Sequence, residues 1–503
     1  MLRKLVSDTA IYGLSTIVGR LINYILVPFY SDVLVAEKFG VMSLFYTYAA
    51  FLNVLYTYGM ETAFFRFASK KGVDSNEIYQ EILSSLLITS AVFSGLIIYF
   101  SPQIGTLIGH EGSERFVRWF AYLLFIDTIV AIPFAKLRLE KKAKKFAIIK
   151  VLVICVMVAL NYFLLVVCEE IVQGKQFIFL QEFVTSFYEP ELATNGGYIF
   201  LANLLANSLL LIFLVKELSQ FRFRLKWDKL KVLYQYAYPL VFSGLFFAVN
   251  ELVDRFLLEY YLPKDVYPDK ENIAVVGIYA ACYKLSIFIT LAIQAYKYAA
   301  EPFFFGQVED KQNKTIFAQS AKYFLIATLF MFVAVSVNVD LIGSLILRKA
   351  IYRTGLGVVP FLLLANVFLG VYYNLAIWFK ITDRTHFGAI IGGIGATITL
   401  VLNLLLIPYI GYYGSAITTL VCYASMTALC YYFGNKFYPV PYDLKSAGLY
   451  LFAAIILVGL SFSHGYEGLI GEFIINNSLV LCFVGLFYWK EKDSLLKLLG
   501  KKS

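Results

Sequence analysis

The sequence predicts an all-α integral membrane protein of about 14 transmembrane helices, arranged as two pseudo-symmetric six-helix lobes around a central cavity plus a C-terminal helix pair. Three observations carry this. Of 503 residues, 60% are hydrophobic and only 15% are charged, where a soluble chain carries about 25% charge. Apolar runs near the ~20 residues needed to cross a bilayer recur from end to end. Basic residues crowd into alternate connections between those runs. Mean hydropathy is +0.72. The same composition excludes disorder, a collagenous repeat and a disulfide scaffold. The six cysteines stand singly with no CxxC pair, and the three histidines lie far apart, so no metal site is expected.

The apolar runs fall at 8–30, 41–65, 82–100, 116–135, 146–168 and 197–215. After a basic connection they resume at 234–260, 275–299, 317–337, 357–379, 386–407 and 413–433, and they close with 447–463 and 472–489. The first run follows Arg3 and Lys4 as a secretory leader would. It is too long for one, carries Arg20 at its middle and lacks a small-residue cleavage site, so it reads as a helix.

One set of connections, together with both ends of the chain, holds 31 of the 43 Lys and Arg residues; the opposite set holds nine. That bias places both termini in the cytoplasm. The net charge of +9 is then a topology signal plus attraction to anionic lipids, and no nucleic-acid partner is expected. The richest stretch, Lys136 to Lys150, reads as a short interfacial segment.

The connection from Lys216 to Lys231 contains Phe221, Arg222, Phe223, Arg224 and Trp227, an alternation suited to lying on a membrane surface. It divides the chain into an N-lobe of six helices (1–215), a linker (216–233), a C-lobe of six helices (234–433) and a last helix pair with a basic tail (434–503). Weak internal similarity supports a duplication: Gly40 precedes Tyr46 by six residues in the second helix, as Gly277 precedes Tyr283 in the eighth. Basic turns after the fourth and tenth helices end in Phe146-Ala147 and Phe387-Gly388.

An ionised group at mid-bilayer costs about 2.5–3.5 kcal/mol on insertion scales, so those within the runs must face partners or water. Thr9, Gly13, Thr16, Arg20 and Asn23 recur at helical spacing in the first helix, and Tyr46, Asn53, Thr57 and Glu61 in the second. The seventh carries Ser243, Asn250 and Asp254 on one stripe, with Glu251 and Arg255 spaced for an i,i+4 ion pair. In the eighth, Tyr279, Tyr283, Ser286, Thr290, Gln294, Lys297 and Glu301 step by three or four, which predicts one continuous polar face. Arg20, Lys284 and Asp127 have no opposite charge within a turn of their own helix. Cations in a hydrophilic cavity suit a substrate bearing phosphate or carboxylate. The expected substrate-facing set is Arg20, Asn23, Asn53, Asn250, Arg255, Tyr283, Lys284, Thr290, Gln294 and Lys297. Asp127, Asp254 and Glu251 are candidates for binding a coupling H⁺ or Na⁺.

No GxxxxGK[ST], HExxH, GxSxG or DxD pattern occurs. The largest connection on the side poor in bases, Cys168 to Gly197, has five glutamates, one lysine and no histidine, and reads as a short amphipathic lid. Catalysis and a bound cofactor are not expected.

The opening IYGLSTIVGRLINYILVPFYSDVLVAEKFGVMSLF resembles that of bacterial O-antigen and polysaccharide flippases, as does the later block LVDRFLLEYYLP … VVGIYAACYKLS … AAEPFF. These belong to the multidrug/oligosaccharidyl-lipid/polysaccharide exporter superfamily. The resemblance implies a V-shaped pair of lobes, alternating access and residence in the bacterial inner membrane. It also implies an undecaprenyl-diphosphate-linked oligosaccharide as substrate, with Arg20, Arg255 and Lys284 meeting its anionic headgroup. Expected partners are membrane lipids and the polymerase and glycosyltransferases of surface polysaccharide or lipopolysaccharide synthesis, around a monomeric transporter driven by H⁺, Na⁺ or membrane potential. A lipid II flippase and a drug/cation antiporter are alternatives within the superfamily; a membrane polymerase or ligase is one outside it. The long acidic loop after the fifth helix departs from the family's usual short turn.

Overall fold

The computed structural model describes residues 17–19, 21–22, 24–69, 72–109, 113–306, 313–382, 384–463 and 469–498, with backbone alone at 297–306, 313, 380, 469–470 and 493–498. The described residues form helices and no strand. That is the outcome lipid imposes on a chain this apolar, because a helix satisfies its own backbone hydrogen bonds. Among the described residues, each apolar run of the sequence falls on a helix, the eighth on a bent pair. Residues 24–33 belong to α1, followed by α2 (Ala36–Ala68), α3 (Ser75–Tyr99), α4 (Ser113–Leu139), α5 (Ala143–Val172), α6 (Gly197–Phe213) and α7 (Trp227–Tyr260). Then come α8, in two pieces (Asn272–Lys284 and Ile287–Tyr296), α9 (Lys314–Val337), α10 (Ala350–Phe379), α11 (His386–Ile410), α12 (Tyr412–Phe437), α13 (Leu444–Ser463) and α14 (Gly471–Lys492). Among the described residues, eleven helices are long and apolar enough to cross a membrane, and the bent α8 makes a twelfth. The apolar α6 is shorter, at 17 residues or about 26 Å.

The helices pack as two units, Met1–Tyr260 with Asp269–Gly277 and Tyr261–Pro268 with Ile278–Ser503. Within the first unit, α2 and the start of α8 meet without side chains between them. A Cβ added at Gly40 would lie 2.0 Å from the Ile273 carbonyl oxygen, and one added at Gly277 would lie 2.0 Å from that of Ala36. The two glycines that marked the internal repeat therefore face one another, each against the carbonyl four residues before the other. Helices in lipid approach this closely only across small residues. Farther along, α2 kinks at Tyr58 and Gly59, where Gly59 adopts the left-handed φ of 74° that glycine tolerates best.

Leu230, Leu233 and Ala237 of α7 are buried in one core with Met60, Phe64, Tyr79, Ile82 and Ile132, so packing groups α7 with the first six helices. The linker before it is held by charge. Arg224 reaches Glu77 at 2.8 Å, the Lys226 amide donates to Glu81 Oε2 at 2.7 Å, and Lys229 also pairs with Glu77. Lys145 binds the buried Glu217 at 2.6 Å, while Lys136 donates to Asn76 and Gln220. Phe223 and Trp227 stay exposed, in keeping with a segment on the membrane surface. Of the basic stretch 136–150, Lys136 and Lys145 thus hold protein groups, while Lys142 pairs with Glu140 and is held above its ordinary pKa by that hydrogen bond.

In the second unit α13 and α14 are clamped to α9. Lys322 binds Glu491 at 2.6 Å and Asp443 at 3.4 Å, and Tyr450 donates to Glu491 at 3.3 Å. Asp443 also caps α13 by accepting from the Ser446 amide. Hydrogen bonds from Ser446, with Lys322 nearby, hold its carboxyl below the ordinary range.

Two outcomes test this packing. Gly40→Ala and Gly277→Ala should each destabilise the protein by about 1–3 kcal/mol through forced separation of backbones, whereas Gly459→Ala, which meets nothing within 4 Å, should be neutral; thermal unfolding in detergent reads the difference. Because the Asp443 pKa is depressed, its contribution is present above the unfolded carboxylate pKa and lost as pH falls through the folded value. The melting difference between wild type and Asp443→Asn should therefore close as the pH drops below about 4.

Candidate functional site

Charges within the membrane helices define the site, since each must find a partner or water. In the first unit Asp127 of α4 lies within electrostatic reach of Lys150 of α5, which in turn feels Glu61 of α2. Glu61 Oε1 accepts from Arg138 at the end of α4 at 2.7 Å. Lys150 sits 4.3 Å from the Phe134 ring centroid and Arg138 4.8 Å from that of Phe65, so aromatic faces supplement the carboxylates. Beside this chain of charges, Asn203 of α6 donates to the Tyr46 hydroxyl at 2.9 Å, and Asn207 donates to Asn203 at 2.6 Å. Asp127 and Lys150 make no direct ion pair among the described residues, and the opposite charge that Asp127 feels lies on the next helix. The sequence places Lys150 at the end of a basic interfacial stretch, whereas α5 begins at Ala143, two turns earlier. The signal was the unbroken apolar run that continues on both sides of Lys150.

On α7, Asn250, Asp254 and Arg255 are all buried. Arg255 Nη1 donates to the Glu251 carbonyl oxygen at 2.8 Å and to Asp254 Oδ1 at 3.2 Å. The same carboxylate oxygen accepts from the Arg255 amide at 2.8 Å. The sequence expectation was an i,i+4 pair between the Glu251 and Arg255 carboxylate and guanidinium. The guanidinium does fold back one turn, as long helical side chains do, but the contacts above reach Glu251 through its backbone, and the Asp254 carboxylate supplies the ion pair. Asn53 lies exposed on α2, where its carbonyl accepts from Thr57.

The eighth helix departs from expectation. Its two pieces meet at an angle of 47°, so the stripe from Tyr279 onward is interrupted and does not form one continuous polar face. Tyr279 is fully buried and Tyr283 half-buried, while Lys284 is exposed as the last residue of the first piece. Ser286 Oγ donates to the Tyr283 carbonyl and Thr290 Oγ1 to that of Ile287, each at 2.8 Å. Hydroxyls that bond back to their own helix weaken its ladder and favour a bend. Part of the polar pattern is thus spent on backbone geometry. Gln294 Oε1 is buried with no hydrogen-bond partner among the described residues. A broken membrane helix exposes backbone groups and dipole ends, the usual setting for an ion or substrate, and Lys284 complements the negative end of the first piece. Arg20, Asn23 and the side chain of Lys297 lie outside the described residues. The structure assembles no group of three His, Cys, Asp or Glu able to hold a metal among those residues.

This helical arrangement is the fold of the multidrug/oligosaccharidyl-lipid/polysaccharide superfamily. The structure of the lipid II flippase MurJ in an inward closed conformation superposes with a TM-score of 0.70 at 12% identity, covering 95% of this chain and 99% of that one. A multidrug resistance MATE family transporter is similar in its inward-facing form (TM-score 0.62, 14% identity, 83% of this chain and 94% of that one). The outward-facing conformation of a multidrug resistance MATE family transporter gives 0.57 at 15% identity, with 86% of this chain and 95% of that one covered. Within that fold, the family model for "Polysaccharide biosynthesis protein" matches residues 5–307, and the chain belongs to this family. No curated protein sequence matches it.

Because Asp127 and Lys150 feel each other across α4 and α5, Asp127→Asn and Lys150→Met should each cost on the order of 1–2 kcal/mol. The double variant should recover most of that loss. Unfolding of the four proteins in a double-mutant cycle measures the coupling.

Proposed function

We propose that the protein is a flippase for undecaprenyl-diphosphate-linked oligosaccharide repeat units. It moves them from the cytoplasmic to the outer leaflet of the bacterial inner membrane by alternating access, in the synthesis of a surface polysaccharide such as O-antigen. The observation that carries this reading is membership of the polysaccharide biosynthesis family, joined to cations set within membrane helices, Lys284 at the break of α8 above all. A diphosphate is a substrate those cations suit, with arginine gripping phosphate in a fork and lysine acting as a point charge. The MurJ likeness supports a lipid-linked substrate, since it extends over 95% of the chain where the two MATE conformations above reach 83% and 86%.

In this reading both termini are cytoplasmic, the protein acts as a monomer beside the polymerase and glycosyltransferases, and the chemistry is transport rather than bond making. The coupling ion, H⁺ or Na⁺, binds at Asp127, with Asp254 and Glu251 as further candidates; the membrane potential is the alternative driver. Arg20, Lys284 and the polar residues Asn23, Asn53, Asn250, Tyr283, Thr290, Gln294 and Lys297 face the substrate, with Arg255 among the headgroup cations.

Lys284→Ala or Arg20→Ala should abolish surface polysaccharide at wild-type levels of membrane protein; normal polymer in both variants overturns the cationic-site assignment. Reconstitution with a fluorescent undecaprenyl-diphosphate sugar, read by leaflet accessibility with and without H⁺ and Na⁺ gradients, tests transport directly. Faster exchange of lipid II than of the repeat unit would select the lipid II reading, and export of cationic drugs the antiporter reading.

A further inference from the structure

The acidic connection between α5 and α6 is a folded element. Gln181 donates to the Val172 carbonyl at 3.0 Å, which pins its first half to the end of α5. In its second half, Tyr188 stacks on Tyr198 at 5.1 Å and 12°, the Glu189 amide donates to the Tyr198 hydroxyl at 2.7 Å, and Arg115 of α4 binds Glu189 at 2.7 Å. Val184, Tyr188, Leu192 and Ala193 are buried beneath it.

Its other face is apolar and uncovered. Phe177, Ile178, Phe179, Phe183 and Phe187 are 53, 65, 81, 68 and 44% exposed. Phe179, Phe183 and Phe187 recur every four residues along the turns at Ile178–Leu180 and Gln181–Thr185, with Phe183 and Phe187 in ring contact at 5.5 Å. A patch of this kind facing water is an association or aggregation hazard.

The tethers decide what covers it. Along α5, the 24 helical steps from Lys145 to Glu169 rise about 36 Å, against a hydrocarbon core of about 30 Å. Glu169 and Glu170 therefore stand in the headgroup layer, and the connection starts within a turn of them. Its far end enters α6, an apolar helix of only 17 residues. Held at both ends at that depth, the aromatic face stands level with the outer end of α5, close along the chain to the exposed Tyr162 and Phe163. Phenylalanines at an acyl boundary with carboxylates turned to water are the arrangement of an interfacial amphipathic element.

We propose that residues 177–187 form a foot embedded in the interfacial layer of the membrane leaflet at the outer ends of α5 and α6, with Phe179, Phe183 and Phe187 in the acyl boundary. Five glutamates against one lysine in residues 168–197 mean that it is held by apolar burial and not by attraction to anionic headgroups. It rests on the membrane-spanning fold and is independent of the substrate.

Spin labels test it in reconstituted full-length protein. Cys155 and Cys482 are the exposed thiols; in a Cys155→Ala/Cys482→Ala background, nitroxides are attached through Phe179→Cys, Phe183→Cys and Glu182→Cys. The labels at 179 and 183 should be accessible to oxygen and shielded from a water-soluble nickel chelate, with the reverse at 182. The pattern should be the same in phosphatidylethanolamine vesicles with and without phosphatidylglycerol. Nickel access at all three sites would make the segment a solvent-exposed lid, and shielding from both reagents would make it a protein-covered interface; either overturns the proposal, as does a pattern that requires phosphatidylglycerol. A second variant needs no label: the added emission of Phe183→Trp should be quenched by lipids brominated on their tails, and quenching by aqueous iodide instead overturns it.

Discussion

The constraint on which the rest depends is that charge within hydrocarbon has to be met by the protein itself. It explains why the ionised residues of the membrane helices occur as connected sets: Asp127 with Lys150, Glu61 and Arg138, Asp254 with Arg255, and Lys322 with Glu491 and Asp443. The first and last of these sets join different helices, which apolar contact would leave free to slide because lipid is as apolar as leucine and offers no hydrophobic drive between helices; Asp254 and Arg255 satisfy one another within α7. Register is what these pairs supply. Glu217, buried at the end of α6, shows the same logic where the linker leaves the membrane, its carboxylate taken by Lys145 and its carbonyl by Tyr79.

Where charge is absent, the backbone itself makes the contact. Gly40 and Gly277 bring α2 and α8 together at a distance that forbids any side chain, and the hydroxyls of Ser286 and Thr290 turn inward on their own carbonyls at the break of α8. One end of α8 is therefore fixed by close packing, and a bend follows it. The alternating access proposed above would draw on such a combination, since a bend gives a helix a place to change angle.

The spans and their alternation of basic connections were legible in the sequence because each membrane helix closes its own hydrogen bonds, so its length and composition suffice to define it. Partnerships between helices were not legible. Lys150 looked like the end of a basic loop because spacing along one chain does not reveal that α4 delivers Asp127 beside it. Arg255 had two acidic neighbours within a turn, and the short Asp254 side chain, able to curl back on the backbone, took the pairing that i,i+4 spacing assigned to Glu251. The stripe on α8 looked continuous because periodicity counts residues and is blind to a bend that some of those residues cause. The repeat glycines were legible as a pattern but not as a contact.

These placements separate two roles that the sequence had merged. Arg255 is buried, and its guanidinium bonds the Glu251 carbonyl and the Asp254 carboxylate, so a ligand that meets it joins groups already in place. Lys284 is exposed, at the end of a half-helix whose dipole already favours a cation. In the proposed mechanism both cations serve the headgroup, Arg255 while also steadying α7 through Asp254, and Lys284 at a position where a change in the bend of α8 would move the charge.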